Sequence, residues 1–237
     1  MTTPESDTIP YAIRIPRKRF VAFLVLIVIV LLTSYILLQT THYRWHVGHW
    51  VLKQLFDLDG EDTFPNWFST ASLFFTSSLL YVIWSTKKQE RDRFAHSWLV
   101  LSVGSLIMSV DEVAGMHEAL NWVSSVSWTV PGAILAAALG LYFVPFLIHL
   151  PMRYRVLFIL AGAIYVGGAV GVEHLTDRIL DRIQGNNDMH TLGYKLMVVI
   201  EEGMEMSGVV LFISSLLEYM NPGKVVSISL IFEEDPA

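Results

Sequence analysis

Hydrophobic positions are grouped into six stretches that are separated by short polar segments. A helix that crosses a bilayer needs about 20 mostly apolar residues, and all six stretches come close to that length. The predicted spans are residues 20–39, 67–84, 97–120, 128–150, 155 to beyond 172, and 192–219. The first stretch is too long for the apolar core of a signal peptide, and no small-residue cleavage site follows it. The pattern therefore predicts an all-α fold, a polytopic membrane helix bundle with six transmembrane helices.

The composition agrees with this prediction and excludes several functions. Hydrophobic residues make up 53% of the chain and charged residues only 16%, against about 25% in soluble domains. The net charge is −6 and there is no basic tract, which argues against nucleic acid as a partner. The chain has no cysteine, so it has no disulfide or thiolate metal site. Any metal would be held by His and oxygen ligands.

The distribution of Lys and Arg predicts the orientation of the chain. Eleven of these residues fall in segments on one side of the predicted membrane and five on the other. Because cytoplasmic loops carry the excess of positive charge, both termini are predicted to be cytoplasmic. The predicted organisation is a basic tail (1–19), a transmembrane domain (20–220) with an outer interfacial segment (42–66), and a cytoplasmic tail (221–237). Residues 225–232 alternate between polar and apolar, as in a short strand or an irregular tail.

Acidic residues are concentrated in the third, fifth and sixth predicted helices. A charge in the middle of a bilayer costs about 2.5 kcal/mol or more. We therefore expect these acidic clusters to have a structural or functional role. At 1.5 Å per residue, the acids lie about 21–33 Å above the cytoplasmic ends of their helices. Asp111 and Glu118 are seven residues apart and are predicted to share one helix face. We therefore expect the three acidic stripes to face one another in the outer half of the membrane.

Two histidines with several carboxylates form the ligand set of di-iron and di-manganese helix bundles. Iron, manganese or zinc, as one ion or two, would suit these ligands. The Glu-x-x-His pair of such sites is missing, and its nearest equivalents are the pairs 174/177 and 202/205. Glu112 and Glu202 are predicted catalytic residues, as a bridging ligand or proton carrier. The predicted metal ligands are Asp111, His117, Glu118, Glu173, His174, Asp177, Glu201 and Glu205.

Other interpretations of these polar residues stay open. The acids could be a polar lining paired to Arg178 and Arg182, or a proton or ion pathway without a fixed metal. The acidic stretch 57–62 is interpreted as a solvated turn, although it lies on the side of the clusters and could cover them. Asn66 is predicted to cap the helix that follows this turn.

Three motifs resemble those of an uncharacterised family of bacterial multispan inner-membrane proteins. They are L-D-G-E with P-x-W-F-S (58–61 and 65–69), D-E-x-x-x-x-H-E (111–118) and E-E-x-x-E-x-x-G (201–208). The resemblance covers about residues 20–220. It implies location in a bacterial inner membrane and no particular activity.

The leading hypothesis is a membrane metalloenzyme, for instance an oxidoreductase, acting on a lipid-soluble small molecule within the bilayer. The first alternative is a transporter of divalent metal or protons. It is disfavoured because the inner halves of the acidic helices carry no ionisable residues and no inverted repeat is evident. The second alternative is a non-catalytic membrane partner whose charges serve assembly. The pattern does not predict an oligomeric state.

Overall fold

The computed structural model describes residues 11–45, 50–116, 127–176, 178, 192–221 and 225–230. These residues are almost entirely helical, as predicted. The helices are α1 (Arg17–Trp45), α2 (Trp50–Leu55), α3 (Phe64–Gln89), α4 (Ala95–Ala114), α5 (Thr129–His149), α6 (Met152–Val166) and α7 (Leu192–Met220). A π-helical segment, Gly167–Val172, continues α6, and two short strands, β1 (Tyr11–Pro16) and β2 (Val225–Leu230), flank the helices.

Five of the described helical segments are long and apolar enough to cross a membrane. They are Arg17–His42, Phe64–Gln89, Ala95–Ala114, Thr129–His149 and Met152–Thr176. The last of these contains α6, the π segment and one further turn. Helix α7 has 29 residues and carries the acids Glu201, Glu202 and Glu205 in its first half.

Helix α7 is the central helix, since it packs against α1, α3 and α6. Its residues Ile213, Leu216 and Leu217 are completely buried. A helix surrounded by other helices can carry acidic residues that would be prohibitive in contact with lipid. This position explains how α7 combines an acidic first half with an apolar second half.

Two predicted helix ends differ from the observed ones. Thr63, not Asn66, caps α3: the Thr63 side chain accepts a hydrogen bond from the Asn66 backbone N–H at 3.4 Å. Helix α4 ends at Ala114 because Gly115 adopts a left-handed conformation, with φ of 54°. The prediction that this helix continues to residue 120 was wrong. Glu118 lies outside the described residues, so the helix face that it was predicted to share with Asp111 stays a prediction.

The two ends of the described chain meet at one end of the bundle. Strands β1 and β2 pair antiparallel, with Tyr11 opposite Leu230 and Pro16 opposite Val225, which confirms the short strand considered for residues 225–232. Beside this ribbon, Glu218 at the end of α7 forms ion pairs with Arg17, at 3.0 Å, and with Arg153. We call this the ribbon end of the bundle and the opposite end the acidic end.

Serine side chains join α3 and α4. Ser77 Oγ donates to the Ser102 carbonyl oxygen at 2.8 Å, and Ser102 Oγ donates back to the Ser77 carbonyl oxygen at 2.9 Å. Nearer the acidic end, Ser109 Oγ donates to the Thr70 carbonyl oxygen at 2.9 Å. Small residues let helices approach closely within a membrane, and these reciprocal bonds fix the register of the two helices.

Candidate functional site

Five glutamates from three helical segments converge at the acidic end. Glu112 lies in the last turn of α4, Glu173 follows the π segment, and Glu201, Glu202 and Glu205 lie on α7. The largest electrostatic interactions of Glu202 are with Glu112 and Glu201, and its interaction with Glu173 is also substantial. Those of Glu205 are with Glu202, Glu112, Glu201 and Glu173. All five side chains are partly buried, and we call them the acidic centre.

Asp111 lies beside this centre. The hydroxyl of Tyr165, on α6, is within electrostatic range of Asp111 as well as of Glu112, Glu202 and Glu205. Asp111 and the acidic centre therefore surround the same tyrosine. Asn66, on α3, also contacts this region: Asn66 Nδ2 donates to the Glu112 backbone carbonyl oxygen at 2.6 Å.

The π segment brings α6 against α7 at the height of the acids. A Cβ atom on Gly168 would lie 2.8 Å from the Glu201 carbonyl oxygen and 3.1 Å from Glu205 Cγ. Only glycine allows this approach. A π-helical turn changes the direction in which the following residues point, and such turns are frequent at functional sites. Sequence analysis did not predict this turn, although three glycines within five residues (167–171) are a signal for it.

The start of α5 contacts Glu173 and His174. Trp128 Nε1 donates to Glu173 Oε1 at 2.7 Å. Thr129 Oγ1 lies 3.1 Å from His174 Nδ1 and is buried. Sequence analysis did not single out Trp128 or Thr129, because a Trp and a Thr at the start of a membrane helix are also common as interfacial and capping residues.

The acidic stretch 57–62 lies over the acidic end and contacts α4 and α7. The Tyr194 hydroxyl donates to Asp59 Oδ1 at 3.0 Å. The Glu61 carboxylate lies directly on Gly115, where a Cβ atom would be 2.0 Å from Glu61 Oε1. Asp59 is also within electrostatic range of Glu202. The stretch therefore adds carboxylates to the surroundings of the acidic centre.

Three polar side chains near this end have buried atoms that lack hydrogen-bond partners within the described structure. They are Gln39 near the end of α1, whose amide N and O are both unsatisfied, and Ser69 and Thr70 near the start of α3. The exposed fractions of Gln39 and Ser69 are 3% and 6%. Unsatisfied buried polar groups in a native protein commonly mark a bound ion or water molecule.

Seven of the ten predicted site residues are described. The structure brings Glu112, Glu173, Glu201, Glu202 and Glu205 together, with Asp111 beside them and His174 next in sequence to Glu173. Among the described residues, no three His, Asp or Glu side chains are arranged so that they could hold a metal ion. The other three predicted ligands, His117, Glu118 and Asp177, lie outside the described residues.

The fold and the acidic centre define a helical protein with five helices long and apolar enough to cross a membrane and with carboxylates concentrated at one end of its bundle. The chain belongs to the family described as a domain of unknown function (DUF8692), which it matches over residues 20–219. Comparison with curated proteins and with solved structures gave no match.

Proposed function

We propose that this chain is an integral membrane metal-binding protein, an enzyme whose carboxylate and histidine ligands hold one or two ions. The observation that carries the proposal is that the leading electrostatic interactions of Glu202 and Glu205 are all with other carboxylates. Carboxylates that are kept together and away from water repel one another strongly. A bound cation removes this repulsion, and oxygen-rich sites with histidine suit iron, manganese or zinc.

The proposed ligands are those predicted from the sequence, including His117, Glu118 and Asp177. Glu112 and Glu202 are proposed as a bridging ligand or proton carrier. In the absence of a cation, repulsion keeps carboxylates apart, and binding would draw those of α4, of α7 and of the turn after the π segment inward. The chemistry that a pair of such ions supplies is oxidation or hydroxylation, which makes an oxidoreductase the proposed enzyme class.

We also propose that α7 is a sixth transmembrane helix. Helix α1 begins and α7 ends at the ribbon end, and β1 and β2 join the two ends there. Five crossings would leave the start of α1 and the end of α7 on opposite sides of the membrane. Six crossings place both on the same side. With the Lys and Arg distribution, this supports cytoplasmic N and C termini and a location in a bacterial inner membrane.

A groove on the bundle surface supports a substrate from the lipid phase. It runs between α1 and α7, has a volume of about 340 Å³, and is lined mainly by apolar side chains such as Val25 and Val210. Leu32 forms one end of the groove and packs on Gly203, where a Cβ atom would be 3.3 Å from Leu32 Cδ1. Gly203 follows Glu202 directly in α7, so this end of the groove lies next to the helical turn that carries part of the acidic centre.

The metal content of the purified protein tests the proposal. We expect one to two equivalents of iron, manganese or zinc per chain, measured by mass spectrometry on protein in detergent. The variants Glu202→Gln and Glu205→Gln keep the side-chain shape and remove the charge, so each should lose most of the metal. The matched control is Glu90→Gln, because Glu90 is paired with Lys87 at the ribbon end, far from the acidic centre.

Two results would contradict the proposal. The first is a well-folded wild-type protein that binds none of these metals after dialysis against each of them. The second is equal loss of metal in Glu90→Gln and Glu205→Gln. Metal-dependent flux into liposomes without retained metal would instead identify a transporter.

A further inference from the structure

The groove between α1 and α7 runs beside the stripe of side chains through which α1 packs into the bundle. The buried members of this stripe are Leu24, Val28, Leu31 and Tyr35. The groove residues Val25, Ile29 and Leu32 each follow a member of the stripe directly. On the α7 side, Ser207 and Ser214 lie seven residues apart on one helix face and are too small to fill the space between the helices. The groove is therefore an open space along a packed helix contact.

The length of the groove matches one leaflet of a bilayer. Val21 and Leu32 are the first and last groove residues on α1, and the eleven positions between them correspond to about 16 Å along a helix. The hydrocarbon core of a bilayer is about 30 Å thick, so one leaflet contributes about 15 Å. Val21 lies one turn after Arg17, which begins α1 at the ribbon end. With α1 across the membrane, the groove runs from the headgroups at the ribbon end to the middle of the bilayer.

The mouth of the groove at the ribbon end carries more positive than negative charge. Lys18 is exposed and lies three residues before Val21, on the same face of α1. Arg17 and Arg153 both form ion pairs with Glu218 near the end of α7. Three cationic side chains therefore share this region with one carboxylate, and the net charge of these four side chains is +2.

We propose that the groove binds one acyl chain of an anionic phospholipid, whose phosphate lies against Lys18 at the ribbon end. Lipid tails are as apolar as leucine side chains, so the apolar wall alone would not select one phospholipid over another. Basic residues at a membrane surface attract anionic lipids, and here they supply the selection. The inference rests on the membrane location proposed above, but it needs no metal. It goes beyond the proposed function by assigning a lipid class to the groove.

Native mass spectrometry of the full-length protein tests this lipid binding. The protein is reconstituted into nanodiscs of equal parts phosphatidylglycerol and phosphatidylcholine with the same acyl chains, and is then released into detergent. We expect one retained phospholipid per chain. Phosphatidylglycerol should be preferred by about fivefold or more, the discrimination that one lysine or arginine near a membrane surface provides.

Lys18→Gln tests the headgroup contact, and Arg19→Gln is its matched control. Both residues are exposed cations in the first turn of α1. Arg19 is two positions from Val21 and therefore points to nearly the opposite face of the helix. Lys18→Gln should reduce the preference for phosphatidylglycerol about fivefold, whereas Arg19→Gln should leave it nearly unchanged.

Val25→Phe tests the groove itself, and Leu26→Phe is its matched control. Val25 and Leu26 are 43% and 57% exposed, so the larger ring can be placed at either position without entering the buried stripe. Val25 lines the groove, and Leu26 faces away from it. Val25→Phe should fill the groove and remove most of the retained phospholipid, whereas Leu26→Phe should retain it.

Several results would overturn the inference. Equal retention of the two phospholipids would show that the charges at the mouth do not select the lipid. Full retention in Val25→Phe would place the lipid outside the groove. A lipid-free dimer that Val25→Phe disrupts would show that a second copy of the chain covers the groove.

The inference and the proposed metal site fail separately. Glu202→Gln, which should lose the metal, should keep the phospholipid, because the headgroup contact lies at the ribbon end. A wild-type protein that retains phosphatidylglycerol but binds no metal would refute the metal site alone. A protein that does not enter nanodiscs would refute the membrane location, and the lipid site with it.

Discussion

Glycine residues decide how closely the helix carrying Glu173 approaches α7. A Cβ atom on Gly208 of α7 would lie 2.8 Å from the Tyr165 backbone nitrogen, and one on Gly168 would lie 2.8 Å from the Glu201 carbonyl oxygen. Each glycine therefore meets the backbone of the opposite helix. Backbone cannot move aside as a flexible side chain can, so these two positions set the distance between Glu173 and the glutamates of α7.

We predict that Gly168→Ala destabilises the protein by about 1–3 kcal/mol, as is usual when a well-packed interior is overfilled. It should also lower the metal content, because α6 is pushed away from Glu201 and Glu205. The control is Gly162→Ala on the same helix, where a Cβ atom would meet nothing within 4 Å. That change should be neutral or slightly stabilising, since alanine favours helix. Denaturant unfolding in detergent measures both variants, and equal stability for the two would contradict the prediction.

Individual residues show where prediction from the sequence succeeded and where it stopped. The convergence of Glu112, Glu173, Glu201, Glu202 and Glu205 follows from their similar depth, because a charge facing lipid is too costly. The hydrogen-bond partners of the site residues cannot be predicted from depth in this way. The contacts of Asn66, Trp128 and Thr129 join residues about 45 positions apart, and no local pattern marks such pairs.

At the scale of elements, helix boundaries depend on backbone conformations that hydrophobic periodicity does not report. The apolar pattern continues past Gly115, but the left-handed conformation of this glycine ends α4. The pattern also runs smoothly through Gly167–Val172, where the helix changes to the π form. Periodicity assumes 3.6 residues per turn. It predicted five helical segments that are long and apolar enough to cross a membrane, but it could not report the end of α4 at Gly115 or the π segment.

The serine contacts between α3 and α4 yield a prediction at this scale. Ser102→Ala removes the bond that Ser102 Oγ donates to the Ser77 carbonyl oxygen and leaves the bond from Ser77 Oγ to the Ser102 backbone carbonyl oxygen in place. It should destabilise the protein by about 0.6–1.7 kcal/mol, from the average to the maximum measured for hydrogen bonds between membrane helices. The control is Ser78→Ala, because the exposed Ser78 hydroxyl donates only within α3, to the Phe74 carbonyl oxygen at 2.9 Å. Thermal unfolding in detergent compares the two. A smaller effect at position 102 than at position 78 would show that these serines serve only as small residues.

At the scale of the whole molecule, the two ends of the bundle have opposite chemical character. The acidic centre occupies one end, and Arg17 and Arg153 are paired with Glu218 at the other. The ribbon joins the first and last described segments at the second end. The alternating pattern predicted β2, but the pairing of its residues with β1 required the fold, because about 200 residues separate the two strands.

An engineered disulfide between β1 and β2 tests the pairing of these strands. The chain has no cysteine of its own, so no native thiol competes for the crosslink. Ala12 and Ser229 are opposite each other in the register, and directly opposed Cα atoms, about 4.5–5.5 Å apart, are close enough for a disulfide. We predict rapid crosslinking of Ala12→Cys with Ser229→Cys in membranes. Ala12→Cys with Ser227→Cys is two residues out of register and should crosslink much more slowly. Equal rates for the two pairs, measured by the gel mobility of the crosslinked chain, would contradict the ribbon.

The ribbon also determines the order in which parts of the molecule can assemble during synthesis. A ribosome adds about 5–20 residues per second, so β1 leaves the ribosome roughly 10–40 s before its partner strand has been made. During that interval α1 is in the membrane without α7, the helix against which its buried face packs. Closure of the ribbon therefore comes after the synthesis of α7, and a chain interrupted anywhere before β2 cannot reach it.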